Sequence, residues 1–173
     1  MHNRTYFSEE KRKIFSSEIG KIEIGKYYHF FSQGRWSSPE LLMYLMETAG
    51  KGSIQLTTFS FSDESLGTLL HGKNNGVFSE IEIVADYFAR NASKKIIFFA
   101  ENIADVYYGN IHEKIIIVKA ERLYFLVNSS ANFHRNPKHE CGFVCTIPSV
   151  INTYSQYYEI LKKTCLKLKD LKK

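Results

Sequence analysis

Short apolar runs separated by polar turns make up most of this chain. Runs rich in β-branched and aromatic residues are typical of buried strands. They predict strands at residues 53–62, 81–84, 95–100, 115–118, 123–127 and 141–146. Ile22 and Ile24 alternate with charged residues and indicate a further strand. The runs 115–118 and 123–127 are close enough to form a hairpin around residues 119–122.

Three segments carry helix signals. Ser38-Pro39-Glu40 reads as a helix start, with Ser38 as the N-cap and Pro39 at the first position, and Gly50 ends this helix. A second helix is capped by Ser62 or Asp63 and is followed by a turn at residues 72–76. The last helix starts after Pro148, with Ser149 as its cap, and its apolar face recurs at helical spacing at Tyr154, Tyr158, Leu161, Cys165 and Leu168.

The order of these elements predicts the fold class. Strands alternate with helices early in the chain and then follow one another directly, which indicates an α/β fold with a mixed central sheet flanked by helices. The sequence has no internal repeat, low-complexity tract or linker, so we expect residues 1–173 to form a single domain. Residues 1–19 are polar and are expected to form an irregular N-terminal arm.

Composition narrows the class of protein. Of the 173 residues, 44% are hydrophobic and 24% charged, as in globular proteins. The net charge of +5 suits a polyanionic partner such as nucleic acid. A lysine cluster near the C-terminus could contact phosphates or could simply be a solvated helix face; it comprises Lys162, Lys163, Lys167, Lys169, Lys172 and Lys173. The aromatic content of 14% fits a sheet core, a base-stacking surface, or both.

Cysteine usage and apolar run length indicate a compartment. Cys141 and Cys145 lie four residues apart on one predicted strand, too far to bridge, and no cluster has metal-ligand spacing. The N-terminus lacks the apolar segment of a signal peptide, and no apolar run is long enough to span a bilayer. We therefore expect a cytoplasmic protein with free thiols, no metal site and no membrane partner.

One stretch carries candidate chemistry. His112 and Lys114 alternate along a predicted strand, so both side chains would project to one face. The hairpin would return the turn Ser129-Ser130-Ala131-Asn132 to the same level. Phosphodiester cleavage needs a nucleophile, a proton donor for the leaving oxygen and cationic or neutral donors around the other oxygens. An imidazole can fill the first two roles because it titrates near neutrality.

This pattern resembles the signature of the phospholipase D superfamily. The motif reads His112-Glu113-Lys114, a short apolar strand, and then Ser130-Ala131-Asn132, with Ser129 where the family often has Gly. The sequence that follows, through Asn136-Pro137 to Glu140, is similar to short phage- and mobile-element-associated members. Lys119 stands where the family usually has an Asp.

The resemblance implies a phospholipase D-like sandwich and a metal-independent phosphodiesterase without a cofactor. Because members with one motif act as homodimers, it also implies two copies of His112 in one site and a phosphohistidine intermediate. The implied catalytic residues are His112, Lys114, Ser130, Asn132 and Glu140. Ser129, Lys169, Lys172 and Lys173 would bind substrate.

Small members of this kind suggest a nuclease acting on DNA or RNA. Two alternatives stay open at the level of sequence. The substitution at Lys119 is compatible with a binding module that docks on nucleic acid or protein without useful turnover. Hydrolysis of phospholipid head groups is the other alternative.

Overall fold

An eight-stranded mixed sheet forms the centre of the protein. The computed structural model describes residues 8–91, 94–134 and 138–167. Across the sheet the strands lie in the order β1-β7-β6-β5-β2-β3-β4-β8. Their bounds are β1 Tyr27–Phe31, β2 Gly52–Thr58, β3 Phe78–Asp86, β4 Asp105–Gly109, β5 Ile115–Ala120, β6 Tyr124–Ser129, β7 Cys141–Cys145 and β8 Leu166–Lys167.

The sheet has a parallel part and an antiparallel part. Strands β2, β3 and β4 run parallel to one another. Strands β5, β6, β7 and β1 form an antiparallel series that joins the parallel part where β5 pairs with β2. The predicted hairpin is present as β5 and β6, with Ile115 opposite Asn128 and Lys119 opposite Tyr124. The predicted mixed α/β sheet is therefore confirmed.

Helices cover both faces of the sheet. Buried side chains of four helices join the larger core on one face, and side chains of the fifth helix join a smaller core on the other. The helix bounds are α1 Glu9–Glu18, α2 Ser38–Ala49, α3 Asp63–Asn74, α4 Lys94–Ile103 and α5 Pro148–Thr164, and a 3₁₀ helix spans Tyr87–Asn91. Among the described residues, no helix is long and apolar enough to cross a membrane.

Strand β5 shows why the predicted strands were continuous apolar runs. Ile116 and Val118 contribute to the larger core, whereas Ile115 and Ile117 contribute to the core beneath α5. A strand that is covered on both faces needs apolar residues at every position. The apolar run 115–118 is therefore the pattern of a central strand.

The starts of the three predicted helices agree with the sequence to within two residues. Ser37, not Ser38, caps α2, and its backbone N–H donates to the Glu40 carboxylate at 2.8 Å in a capping box. Ser62 caps α3 as expected, although this helix continues to Asn74 through part of the predicted turn. Helix α5 begins at Pro148, one residue before the predicted cap Ser149, and Ile147 stands at the cap position.

Two predictions for the N-terminal region were wrong. Residues 9–18 form helix α1 instead of an irregular arm, because Ser8 caps the helix and Phe15 inserts into the core. Ile22 and Ile24 do not form a strand; Ile22 is buried, whereas Ile24 is 68% exposed. One capping side chain and one buried ring were enough to order a segment that looks polar.

The predicted strand at residues 95–100 is helix α4. Ile96, Phe99, Ala100 and Ile103 pack on the larger core at helical spacing, and this period outweighs the β-forming composition of the run. Strand β4 follows it and was not predicted. Helix α5 ends at Thr164, before the predicted face is complete, and Leu166–Lys167 then pairs with β4. Leu168 lies outside the described residues.

Candidate active site

The predicted catalytic residues lie at one edge of the sheet, at the carboxyl ends of the parallel strands. Strand β2 ends at Thr58, β3 at Asp86 and β4 at Gly109, and the residues before β5 meet them there. In α/β sheets of this kind, ligands bind at the carboxyl edge of parallel strands. His112 and Lys114 lie immediately before β5, and Ser130 lies immediately after β6.

His112 and Lys114 are in contact, but not in the predicted way. Strand β5 begins at Ile115, so the motif is an irregular segment and its residues do not alternate on a strand. The ammonium Nζ of Lys114 lies 3.3 Å from each ring nitrogen of His112 and donates to the His112 carbonyl at 2.6 Å. His112 is exposed. An imidazole and an ammonium group are therefore adjacent at an accessible surface.

Burial and the neighbouring charges shift the pKa of Lys114 in opposite directions. Partial burial lowers the pKa of Lys114, while the carboxylates of Glu140 and Glu113 oppose this shift. Both carboxylates are therefore close enough to stabilise the ammonium form. This places Glu140, predicted from its position in the motif, in the electrostatic environment of Lys114.

Ser130 and Glu140 form a pair. The hydroxyl of Ser130 donates to the Glu140 carboxylate in a short contact and accepts from the backbone N–H of Cys141 at 3.1 Å. Ser129 is held beside Lys114, because its backbone N–H donates to the Lys114 carbonyl at 3.1 Å. The structure thus brings His112, Lys114, Ser129, Ser130 and Glu140 together.

Ser32 fixes the backbone of Glu140 and was missed in the sequence. Its hydroxyl accepts from the Glu140 N–H at 3.0 Å, and its own N–H donates to the Glu140 carbonyl at 2.8 Å. Ser32 is buried and follows the edge strand β1. It lies 108 residues from Glu140 in sequence, so no local pattern connects the two.

Asn132 is held at the same edge through its neighbour. The backbone N–H of Phe133 donates to the hydroxyl of buried Thr58 at 2.9 Å, and Phe133 forms a bridge with Phe61 beyond β2. Among the described residues, no hydrogen bond joins the side chain of Asn132 to His112 or Lys114, and its amide oxygen is buried. Among the described contacts, Asn132 is thus placed at this edge by the backbone of Phe133 and not by a hydrogen bond to His112 or Lys114.

Asp86 holds the backbone just before the motif segment, and this role was not predicted from the sequence. Its carboxylate is buried, and one oxygen accepts from the backbone N–H of Ile111 at 3.0 Å while the other accepts from that of Phe88 at 2.7 Å. Thr57 acts similarly on the other side, since its hydroxyl accepts from the Ile115 N–H at 3.0 Å. A polar residue at the carboxyl end of an apolar strand was the available signal for Asp86.

Aromatic rings adjoin His112. Phe59 meets the imidazole edge to face at 5.4 Å between ring centroids, and Lys114 Nζ lies 5.9 Å from the Phe59 centroid. Phe88 stacks on Phe59 at 5.1 Å with 15° between the ring planes. Phe88, Phe59 and His112 thus form a row of three rings, with the imidazole at one end.

Helix α5 contacts the motif through Tyr157. The hydroxyl of Tyr157 donates to the Glu113 carboxylate at 2.5 Å. This hydrogen bond, with partial burial, raises the pKa of Tyr157 to about 12. Glu113, between the two motif residues, therefore ties this segment to the helix on the other face of the sheet.

The C-terminal lysine cluster divides into two parts. Lys162 forms ion pairs with Glu82 at 2.8 Å and Glu159 at 2.9 Å, and Lys167 pairs with Asp105 at 2.8 Å. These lysines are engaged within the fold. The predicted substrate-binding residues Lys169, Lys172 and Lys173 lie outside the described residues, so their role stays a prediction.

Lys119 lies away from the site. It is exposed near the far end of β5, opposite Ser53 and Tyr124. The change from the usual Asp at this position therefore alters neither the contacts of His112 nor those of Lys114.

Within the residues that the structure describes, no group of three or more His, Cys, Asp and Glu side chains could hold a metal ion, and Cys141, Cys145 and Cys165 are free thiols.

Comparison with solved structures identifies the fold. No protein-family model matches the sequence, and no curated protein matches it significantly. The phospholipase D family member Nuc from Salmonella typhimurium is 17% identical with a TM-score of 0.62, covering 82% of this chain and 97% of that protein. NucT from Helicobacter pylori is 15% identical with a TM-score of 0.62, covering 82% and 99%.

A third structure extends the comparison beyond these two. TrmBL2, an archaeal chromatin protein described as showing a novel mode of DNA binding, is 13% identical with a TM-score of 0.56. The match covers 92% of this chain and 60% of that protein. The first two matches span nearly the whole of their partners. The chain has the fold of the phospholipase D superfamily.

Proposed function

We propose that the chain is a phosphodiesterase that hydrolyses DNA or RNA through a phosphohistidine intermediate. The observation that carries this proposal is the contact of Lys114 Nζ with both ring nitrogens of an exposed His112. A phosphate placed at this pair meets a nucleophile and a cation together. Ser130, whose hydroxyl donates to Glu140 and accepts from the Cys141 N–H, lies at the end of the next strand.

The reaction proceeds in two displacements. A ring nitrogen of His112 attacks phosphorus, and the bond from phosphorus to the leaving oxygen breaks. A second group, distinct from the attacking His112, acts as an acid and protonates that oxygen as it leaves. Water then attacks the phosphohistidine, the N–P bond breaks, and the proton of the water returns to the second group, which now acts as a base.

A second copy of His112 is the proposed acid. Only one His-x-Lys sequence of the chain, His112-Glu113-Lys114, lies beside the Ser-x-Asn turn; the other, His71-Gly72-Lys73, is part of helix α3, where Lys73 donates to the Ile103 carbonyl. The reaction needs both a nucleophile and a separate proton carrier. A homodimer with a two-fold axis beside the site would place His112 of the partner subunit on the far side of the phosphate. The exposure of His112 supports this arrangement, because the ring is accessible to a second chain.

Two observations favour nucleic acid as the substrate. The net charge of +5 suits a polyanion. The similarity to TrmBL2 adds a protein of the same fold described as binding DNA. That same similarity favours the second candidate, a nucleic-acid-binding module without turnover. Ser129 and, beyond the described residues, Lys169, Lys172 and Lys173 would contact the strand in both cases.

The test is cleavage of labelled single- and double-stranded DNA, RNA and phosphatidylcholine in excess EDTA. We expect cleavage of nucleic acid, and we expect His112→Ala to lower it by at least about 100-fold. His29→Ala is the matched control, because His29 is an exposed histidine on β1, three strands away from β5. Acid-labile phosphate trapped on the wild-type protein would mark the intermediate.

Three results would contradict the proposal. Strict dependence on added magnesium would remove the metal-independent mechanism. Binding of nucleic acid without cleavage would instead support the second candidate, the binding module. Cleavage of phosphatidylcholine in preference to nucleic acid would assign the site to head groups.

A further inference from the structure

Phe88 is an exposed aromatic ring close to the catalytic histidine. It lies in the 3₁₀ helix Tyr87–Asn91 and is 57% exposed. One face of its ring is covered by Phe59, in a stack with 15° between the planes. The exposed fraction therefore includes the opposite face, which is flat, apolar and open.

The row of rings leads directly to the reacting group. Phe59 contacts both His112, edge to face at 5.4 Å, and the ammonium of Lys114, at 5.9 Å. Phe88 is one ring further out. A phosphate at His112 would thus have its own sugar and base within reach of Phe88, since a base is separated from its phosphate by a single sugar.

Asp86 anchors the backbone of Phe88 and the backbone just before His112 to one carboxylate. Its two carboxylate oxygens hold the backbone N–H of Phe88 and that of Ile111, the residue before His112. Because one buried carboxylate anchors both segments, Phe88 cannot shift relative to the motif without breaking one of these hydrogen bonds. A preorganised surface of this kind loses little conformational freedom when a ligand binds.

We propose that Phe88 is a stacking platform for an unpaired base next to the scissile phosphate, so that the site selects single-stranded nucleic acid. This inference rests on the proposed function. Aromatic side chains stack on any base, because every base has a π-face. In a duplex both faces of a base are already stacked, and a base must leave the helix to reach such a platform.

The test measures binding, so that it does not depend on cleavage. Labelled single-stranded DNA is titrated in the His112→Asn background, which cannot form the phosphohistidine. Phe88→Leu keeps an apolar side chain but removes the ring, and we expect the Kd to rise about 5- to 150-fold, as for other stacked bases. Phe88→Trp should retain affinity. Phe98→Leu is the matched control, because Phe98 is 67% exposed on α4.

Abasic and duplex substrates sharpen the test. When the bases are replaced by abasic sites, Phe88→Leu should have little further effect, and the same holds for a blunt duplex. A 2-aminopurine base placed beside the bound phosphate should change its fluorescence on binding when the Phe88 ring is present. The same base should keep its fluorescence on binding to the Phe88→Leu variant.

Two outcomes would overturn the platform. An equal loss of affinity on normal and abasic strands would mean that Phe88 does not contact a base. A fall in sedimentation mass with Phe88→Leu would mean that the ring packs against a second copy of the chain. The proposed function fails separately: a strand bound through Phe88 but never cut by the protein with His112 intact leaves the platform and removes the nuclease.

Discussion

The pKa of Lys114 is subject to two opposing effects in the site. Its partial burial lowers its pKa, and two carboxylates oppose the shift. The proposed chemistry needs the ammonium form, because a neutral amine could not offset the charge of the phosphoryl oxygens. Glu140 therefore has two roles: it accepts from Ser130, and it helps keep Lys114 protonated.

This predicts a shift in the pH profile of Glu140→Gln. Removing the negative charge lowers the pKa of Lys114 further, so the lysine loses its proton at a lower pH. The alkaline limb of kcat/KM should therefore move to lower pH than in the wild type. The profile is measured on a labelled oligonucleotide from neutral pH upward.

Glu113→Gln separates the charge effect from the contact with Ser130. Glu113 also opposes the lowered pKa of Lys114, but it bonds to Tyr157 and not to Ser130. Its replacement should move the limb in the same direction and by less, since its influence is smaller than that of Glu140. A limb that stayed in place or moved to higher pH in both variants would show that Lys114 does not control it.

The sequence predicted a set of candidate catalytic residues but not the residues that hold their backbone in place. His112, Lys114, Ser130 and Glu140 fall within a single stretch, and their spacing was informative. Asp86, Thr57 and Ser32 act through backbone N–H groups that are 25, 58 and 108 residues away. Such pairs exist only after the sheet has formed, so no local pattern could reveal them.

At the scale of elements, strand ends connect the site to the core. Thr58 closes β2, and its buried hydroxyl both donates to the Ser60 carbonyl at 2.7 Å and accepts from the Phe133 N–H at 2.9 Å. This contact holds the segment after Ser130 against the parallel part of the sheet. The same hydroxyl thus contributes to stability and to the placement of Asn132.

Replacing Thr58 by Val tests this connection. The side chain keeps its shape, but the buried N–H of Phe133 loses its acceptor, which should lower the free energy of unfolding by about 1–3 kcal/mol. Urea denaturation measures the change. Thr153→Val is the control: Thr153 is exposed on α5, and its loss should change stability by less than about 0.5 kcal/mol. Equal stabilities for the two variants would refute the role of Thr58.

The prediction of helices and strands succeeded where the spacing of apolar residues in the local sequence followed a single pattern. The central hairpin β5–β6 was predicted because its strands are largely apolar on both faces. Helix α4 was mistaken for a strand, because Ile96, Ile97, Phe98 and Phe99 favour strands locally while their packing follows the helical period. Strand β4 has only five residues, with exposed Asp105 at its start, and depends on pairing with β3.

At the scale of the whole molecule, the proposed shared site would make activity a property of pairs of subunits. In an equal mixture of wild type and His112→Ala whose subunits exchange randomly, about one quarter of the dimers keep both histidines. Activity per total protein should fall to about that fraction. A mixture with His29→Ala, which leaves the motif intact, should keep full activity. A fall to one half with His112→Ala would mean that each subunit works alone.

The anchoring of the site by buried carboxylate and hydroxyl groups also has an entropic consequence. Ordering one residue of a loose loop costs about 1–2 kcal/mol. The backbone of Ile111, Ile115 and Phe133 is already ordered by Asp86, Thr57 and Thr58 before any substrate binds. In the proposed reaction, a strand that binds at His112 would therefore lose conformational freedom of its own, whereas these three backbone positions would lose almost none.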